Sequence, residues 1–188
     1  MSKKTKQIIT REYGFDAGHR VMNQAFKCSS LHGHRYRTLL KFAFSETSDL
    51  DYAIDFSEIK RVGAGWIDDH MDHGMLLNPK DEAIIAATEA TKSKMWLMSL
   101  NGPGEYTNPS VEMISVEIFL AMEILFAEYV GLDVHEIEIF ETVNCSTQCT
   151  AESVSDEQRA NFYEQNLESI KAYAIDKGIV EYDDRKNQ

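Results

Sequence analysis

The stretch Cys28-Ser-Ser-Leu-His-Gly-His34 places a thiol four residues before the first of two imidazoles that flank one glycine. In an extended chain, side chains alternate between faces, so His32 and His34 point the same way and Gly33 leaves room between them. The segment therefore opens a β-strand. Beyond it Tyr36, Thr38, Leu40 and Phe42 share one face, with Arg35, Arg37, Leu39 and Lys41 on the other. Two imidazoles on one face of a strand are half a metal site, and zinc is the commonest ion to take it. An H-x-H pair alone is weak evidence in a chain with six histidines. Its company strengthens it: His19, the pair Asp72-His73, and Glu141 at the end of a strand-like run.

Working outward, residues 7–18 and 34–45 read as two strands, and Tyr52–Ile54 as a short return strand. A helix is expected from Asp55, which has capping-box spacing to Glu58, with Ile59, Val62, Trp66 and Ile67 as its apolar stripe. Gly63 and Gly65 each cost such a helix about 1 kcal/mol, which a close helix–sheet approach would explain. Residues 79–108 show the least regular pattern, with an extra strand near Lys94–Met98 and a turn at Asn101–Gly104. A second helix has Pro109 at its first position and buries Val111, Ile114, Ile118, Met122, Leu125 and Tyr129. Val134–Thr142 alternates as a strand. Ser155 and Gln158 then cap a C-terminal helix with Ala160, Tyr163, Leu167, Ile170 and Ala174 on one side, ending near Gly178. The order predicts an α+β fold, an antiparallel sheet with two helices on one face and a C-terminal helical extension.

Length and 43% apolar content fit a single domain over 1–188, its core at about 7–152 and its extension at 153–188. The net charge of −12 is unevenly spread: residues 1–41 carry nine Lys/Arg against two Asp/Glu, and the remainder ten against 29. An acidic body repels a phosphate backbone and argues against nucleic acid as a partner. The basic N-terminal third suits a small anion, for which Arg20, Lys27 and Arg35 are candidate contacts. Three cysteines without a C-x-x-C do not suggest a disulfide framework, and Cys145 and Cys149 read as buried packing groups. No signal-peptide core and no run of about 18 apolar residues is present, so no membrane partner and a reducing, cytoplasmic setting are expected.

Antiparallel pairing of the first two strands would bring His19 to His32 and His34, leaving a fourth tetrahedral position open as catalytic zinc sites do. Cys28 reads as a thiolate base or nucleophile beside Lys27, or alternatively as a fourth ligand that closes the site. Asp72 and His73 suit a relay for that thiol, or else a capped helix end with an exposed imidazole. A carboxylate at Glu141 can accept two parallel N–H donors from a cyclic guanidine such as a pterin.

Six segments together resemble the 6-pyruvoyltetrahydropterin synthase and 6-carboxytetrahydropterin synthase group of tunnelling-fold enzymes. They are FDAGHR at 15–20, CSSLHGH at 28–34, IDFSEIK at 54–60, MDH at 71–73, NPSVE at 108–112 and ET at 141–142. The resemblance implies a four-stranded antiparallel sheet with two helices on one face. It also implies His19, His32 and His34 as ligands of Zn2+, Cys28 as proton acceptor, and Asp72 with His73 as its relay. Glu141 would anchor the pterin and handle a proton, with Thr142 beside it, while Ser110 and Glu112 match the family's P-T-x-E segment near the pterin. A homohexamer of two trimers, with sites at subunit boundaries, is implied as well. Three residues between the cysteine and H-G-H look like the carboxy-forming branch. That branch converts 7,8-dihydroneopterin triphosphate to 6-carboxytetrahydropterin and acetaldehyde for queuosine-type 7-deazaguanine synthesis. The alternatives are elimination of triphosphate to 6-pyruvoyltetrahydropterin, or a non-catalytic zinc- or pterin-binding assembly protein. The chain departs from the family at Ser110, at Met113, in the longer 79–108 segment and in the tail.

Overall fold

The computed structural model describes residues 7–47, 49 and 51–179. Strands β1 (Gln7–His19) and β2 (His32–Phe44) pair antiparallel along their whole length, from Gln7 opposite Phe44 to His19 opposite His32. On β2 the expected face is buried: Tyr36, Thr38, Leu40 and Phe42 turn inward while Arg35 and Arg37 stay in solvent. Strand β5 (Leu132–Thr142) continues the antiparallel centre beside β2, with a bulge at Lys41/Phe42.

The sheet departs from the four antiparallel strands expected. It has six, in the order β4-β3-β1-β2-β5-β6, and is mixed. Outside the centre lie β3 (Gly74–Leu77), β4 (Met95–Leu97), which falls within the strand expected near Lys94–Met98, and β6 (Cys145–Cys149). β3 lies parallel to β1 and β4 parallel to β3, whereas β6 closes an antiparallel hairpin with β5. Parallel neighbours need a crossover of about a dozen residues, and a helix supplies it between β3 and β4. The supposedly irregular 79–108 segment holds that helix, α3 (Glu82–Ala90), as well as β4. Tyr52–Ile54 forms no strand.

Asp55 caps the first helical run by accepting from the Ser57 backbone N–H at 2.7 Å. Glu58 does not complete a capping box; it pairs with Arg61 and accepts from the Tyr129 hydroxyl at 2.8 Å. The run consists of α1 (Phe56–Ile59), a π-turn over Lys60–Ala64, and α2 (Gly65–His70). A Cβ on Gly63 would stand 3.0 Å from both Leu40 Cδ1 and Met122 Sδ, so the close approach is real. Helix α4 (Val111–Leu125) begins one residue after its N-cap Ser110, which leaves Pro109 outside the first helical position. The predicted stripe is buried apart from the half-buried Val111, with Tyr129 lying beyond the helix end at Leu125, but so is every residue from Ile114 to Met122. The reason is a second helical layer: α5 (Asp156–Asp176), capped by Ser155 and Gln158, packs on α4. The expected C-terminal extension thus forms part of the helical stack. Among the described residues no helix is long and apolar enough to cross a membrane.

Candidate metal centre

The β1–β2 register sets His19 directly opposite His32, and His34 follows two residues on, with the same facing. Their ring centroids lie 4.6 Å (His19–His32), 5.2 Å (His19–His34) and 4.9 Å (His32–His34) apart. One ring nitrogen from each falls within 4.8 Å of the other two.

Backbone carbonyls orient two of these rings. His19 Nδ1 donates to the Pro109 carbonyl at 2.7 Å, and His32 Nδ1 donates to that of Ser30 at 2.7 Å. A carbonyl only accepts, so Nδ1 carries the hydrogen and Nε2 keeps its lone pair. His19 is 1% exposed, and its Nε2 has no hydrogen-bond partner. Burial is the largest influence on this ring and holds its pKa below the ordinary value, which keeps it neutral. A buried lone pair without a donor costs stability unless a cation meets it. Three imidazoles so arranged, two of them held through the far nitrogen by a carbonyl, are a donor set that fits zinc.

Cys28 occupies a single helical turn, Lys27–Ser29, whose position is fixed by the Val21 N–H donating to the Cys28 carbonyl at 2.7 Å. Its thiol is free and half-buried, and it does not join the cluster of imidazole nitrogens. Glu141 reaches the triad from β5, since it shares the inward face with Ile137 and Ile139. Its Oε1 lies 3.6 Å from His19 Nε2 and 3.7 Å from His34 Nε2. Thr142 beside it is exposed. Ser110 and Glu112 sit at the N-terminus of α4, one and three residues beyond the carbonyl that holds His19; Glu112 is exposed.

Asp72 and His73 follow α2 and form their own dyad, with His73 Nδ1 2.6 Å from Asp72 Oδ2. The Asp16 N–H donates to Asp72 Oδ1 at 2.7 Å, and the His73 N–H donates back to the Asp16 carbonyl at 2.6 Å. Burial would raise the Asp72 carboxyl, but the Asp16 N–H and His73 outweigh it and hold its pKa low. His73 adopts the left-handed backbone, φ 56°, and is exposed. Among the described residues no hydrogen bond links this dyad to Cys28; it gathers with Asp16 instead.

Other expectations meet mixed outcomes. Arg20 is not free for an anion: Nε and Nη2 grip the buried Asp81 at 2.5 Å each. Arg35 is engaged by Asp16. Cys149 is buried, with its thiol pushed up to about 12, whereas Cys145 is exposed. The residue that sequence reasoning passed over is Asn108. Its Oδ1 accepts from the Met22 N–H and from Asn78, both at 2.9 Å, and its Nδ2 donates to the Met22 carbonyl and the Tyr106 hydroxyl. It pins the loop after His19 to the start of α4. Its place beside Pro109 was the available signal.

A mixed sheet with helices stacked on one face, presenting three converging imidazoles near a free thiol, defines an α+β protein with a metal-type site. The chain belongs to the 6-pyruvoyl tetrahydropterin synthase family, whose sequence model matches residues 8–152. Relatives named 6-carboxy-5,6,7,8-tetrahydropterin synthase include one from Rickettsia felis, 36% identical over 139 residues, and one from Rickettsia bellii, 34% over 137. Each alignment covers 72% of this chain and 94% of the relative. Solved structures share the fold. An uncharacterized Wolinella succinogenes protein superposes with a TM-score of 0.63 at 17% identity, over 78% of this chain and 99% of its own. The Caenorhabditis elegans 6-pyruvoyl tetrahydropterin synthase gives 0.55 at 16%, over 80% and 99%.

Proposed function

We propose that the protein is a zinc-dependent 6-carboxy-5,6,7,8-tetrahydropterin synthase. It would act in the cytoplasm on 7,8-dihydroneopterin triphosphate and release acetaldehyde and triphosphate, in a route to queuosine-type 7-deazaguanines. The carrying observation is the convergence of the three imidazoles, with His19 Nε2 buried and unpartnered. The names of the Rickettsia relatives and the three-residue spacing from Cys28 to His32 favour the carboxy-forming outcome over the pyruvoyl-forming one.

His19, His32 and His34 hold the ion, which when bound polarises the substrate's side-chain hydroxyls and makes neighbouring carbon-bound protons easier to remove. Cys28, outside the ligand cluster, is free to take and return those protons. Asp72 keeps its charge and orients His73 through Nδ1, which leaves Nε2 to exchange a proton with a thiol. Glu141, Thr142, Ser110 and Glu112 are assigned to binding the pterin. The proposed assembly is a homohexamer of two trimers, in which the dyad serves the Cys28 of a neighbouring copy. That assignment agrees with the separation of dyad and thiol within one chain.

The test is incubation of the zinc-loaded protein with dihydroneopterin triphosphate and mass analysis of the products. Acetaldehyde and 6-carboxytetrahydropterin are expected; 6-pyruvoyltetrahydropterin without acetaldehyde would reassign the branch. Cys28→Ala should lose turnover by at least about a hundredfold while keeping its zinc. Loss of zinc in that variant would move the sulfur into the coordination shell.

A further inference from the structure

Glu141 and His19 confront each other in a way that neither side chain explains alone. The Pro109 carbonyl takes the Nδ1 hydrogen of His19, so in the neutral ring Nε2 presents a lone pair, buried and without a hydrogen-bond partner. Facing it at 3.6 Å is Glu141 Oε1, another lone-pair atom, and the same oxygen stands 3.7 Å from His34 Nε2. These separations are too long for a hydrogen bond. Among the described residues no donor hydrogen-bonds the Glu141 carboxylate. Acceptors turned toward one another in a largely buried corner repel unless a cation lies between them.

The spacing is that of ligands shared by one ion. Two donors bound tetrahedrally at zinc distances lie about 3.3–3.5 Å apart. Glu141 Oε1 misses that spacing to two imidazoles by only a few tenths of an ångström, within the play of a glutamate side chain. β5 delivers the carboxylate to this position on the face it shares with Ile137 and Ile139, so it needs no rearrangement of the strand.

We infer that Glu141 is itself a metal ligand, occupying the fourth position beside His19, His32 and His34 until substrate displaces it. The inference rests on the metal-site reading above and adds to it a state: a three-nitrogen, one-oxygen site that is closed at rest and opened by the incoming side-chain hydroxyls. The displaced carboxylate then stands beside the reacting carbons.

The experiment compares wild type, Glu141→Gln and Glu141→Ala, with folding checked by thermal denaturation. Zinc affinity is measured by competition with a chromophoric chelator, and the Co(II)-loaded proteins are titrated between about pH 6 and 9, where water on a divalent ion ionises. A carboxylate in the fourth position leaves no water to titrate. The wild-type Co(II) spectrum should therefore be flat with pH and shift when dihydroneopterin is added, whereas both variants should show a titration. Zinc affinity should fall by at least about tenfold in the variants. Equal affinities with a titrating wild-type spectrum would overturn this inference and leave the three-histidine site standing. Failure of the wild type to take up either metal would overturn both.

Discussion

Glu117 lies within α4 with no exposed surface, and its carboxylate accepts from Trp96 Nε1, from the Ser99 N–H at 2.5 Å and from the Ser99 hydroxyl at 3.1 Å. It fastens the end of β4 to the helix. Burial outweighs those donors and pushes its pKa up to about 7, from an ordinary 4.5. Between these two values the native state holds a proton that the unfolded chain has given up. Stability from this residue is therefore greatest below the unfolded value and is lost as pH rises toward 7, by roughly 3 kcal/mol in all. Relative to Glu117→Gln, wild type should lose stability across that window, measured as the difference in Tm at each pH; a constant difference would mean that Glu117 titrates alike in both states. Sequence gave no warning of this residue. It sits between Val116 and Ile118 at a position that a one-sided helix leaves in water, and Trp96 of β4 and Ser99 just beyond it cover its carboxylate. The metal-type histidines were legible for the opposite reason: alternation along β2 and a simple antiparallel pairing suffice to bring them together.

At the scale of elements, Gly63 governs how near the π-turn approaches the sheet. A Cβ there meets Leu40 Cδ1 and Met122 Sδ at 3.0 Å and Phe126 Cε2 at 3.4 Å. Alanine is the milder change, because the first two contacts are ends of flexible side chains. Gly63→Val adds two further methyls to a filled space and should cost about 1–3 kcal/mol. It should lower Tm by several degrees yet leave metal affinity intact, because Leu40 is six residues along β2 from His34. An unchanged Tm would show that helix and sheet separate freely. This approach was readable from Gly63 inside an otherwise helical stripe; Gly65 does not share it, since a Cβ there meets only the Tyr173 hydroxyl at 3.5 Å and the Lys60 carbonyl at 3.8 Å. The outer strands were less so: β4 lies inside the stretch expected as a strand, Lys94–Met98, but β3 has only four residues and β6, Cys-Ser-Thr-Gln-Cys, carries almost no apolar signal. What places them is pairing with distant residues, such as Ala17 with Gly74 and Met75 with Met95, which no local pattern encodes.

Across the whole molecule, one face of the sheet is packed under helices while the other bears cross-strand charge pairs, Asp16–Arg35, Glu12–Arg37 and Lys41 with Glu136 and Glu138. The imidazoles belong to the packed side, and the Asp72–His73 dyad attaches at Asp16. Three strand residues, about 10 Å, separate Asp16 from His19, and Cys28 lies beyond the His19 end. The motifs were legible one by one, but their division into two clusters was not, because chain order says nothing about which copy completes a site. If the dyad of one copy serves the thiol of the next, two inactive variants should repair each other. Cys28→Ala and His73→Ala, each inactive alone, would be unfolded together, refolded with zinc and assayed for acetaldehyde. Random assembly then pairs an intact thiol with an intact dyad at about a quarter of the sites, so about a quarter of wild-type activity should return. Variants refolded separately and then mixed serve as the control, and should stay inactive for as long as copies do not exchange. No recovery after joint refolding, in particles of the wild-type size, would place thiol and dyad in the service of one chain.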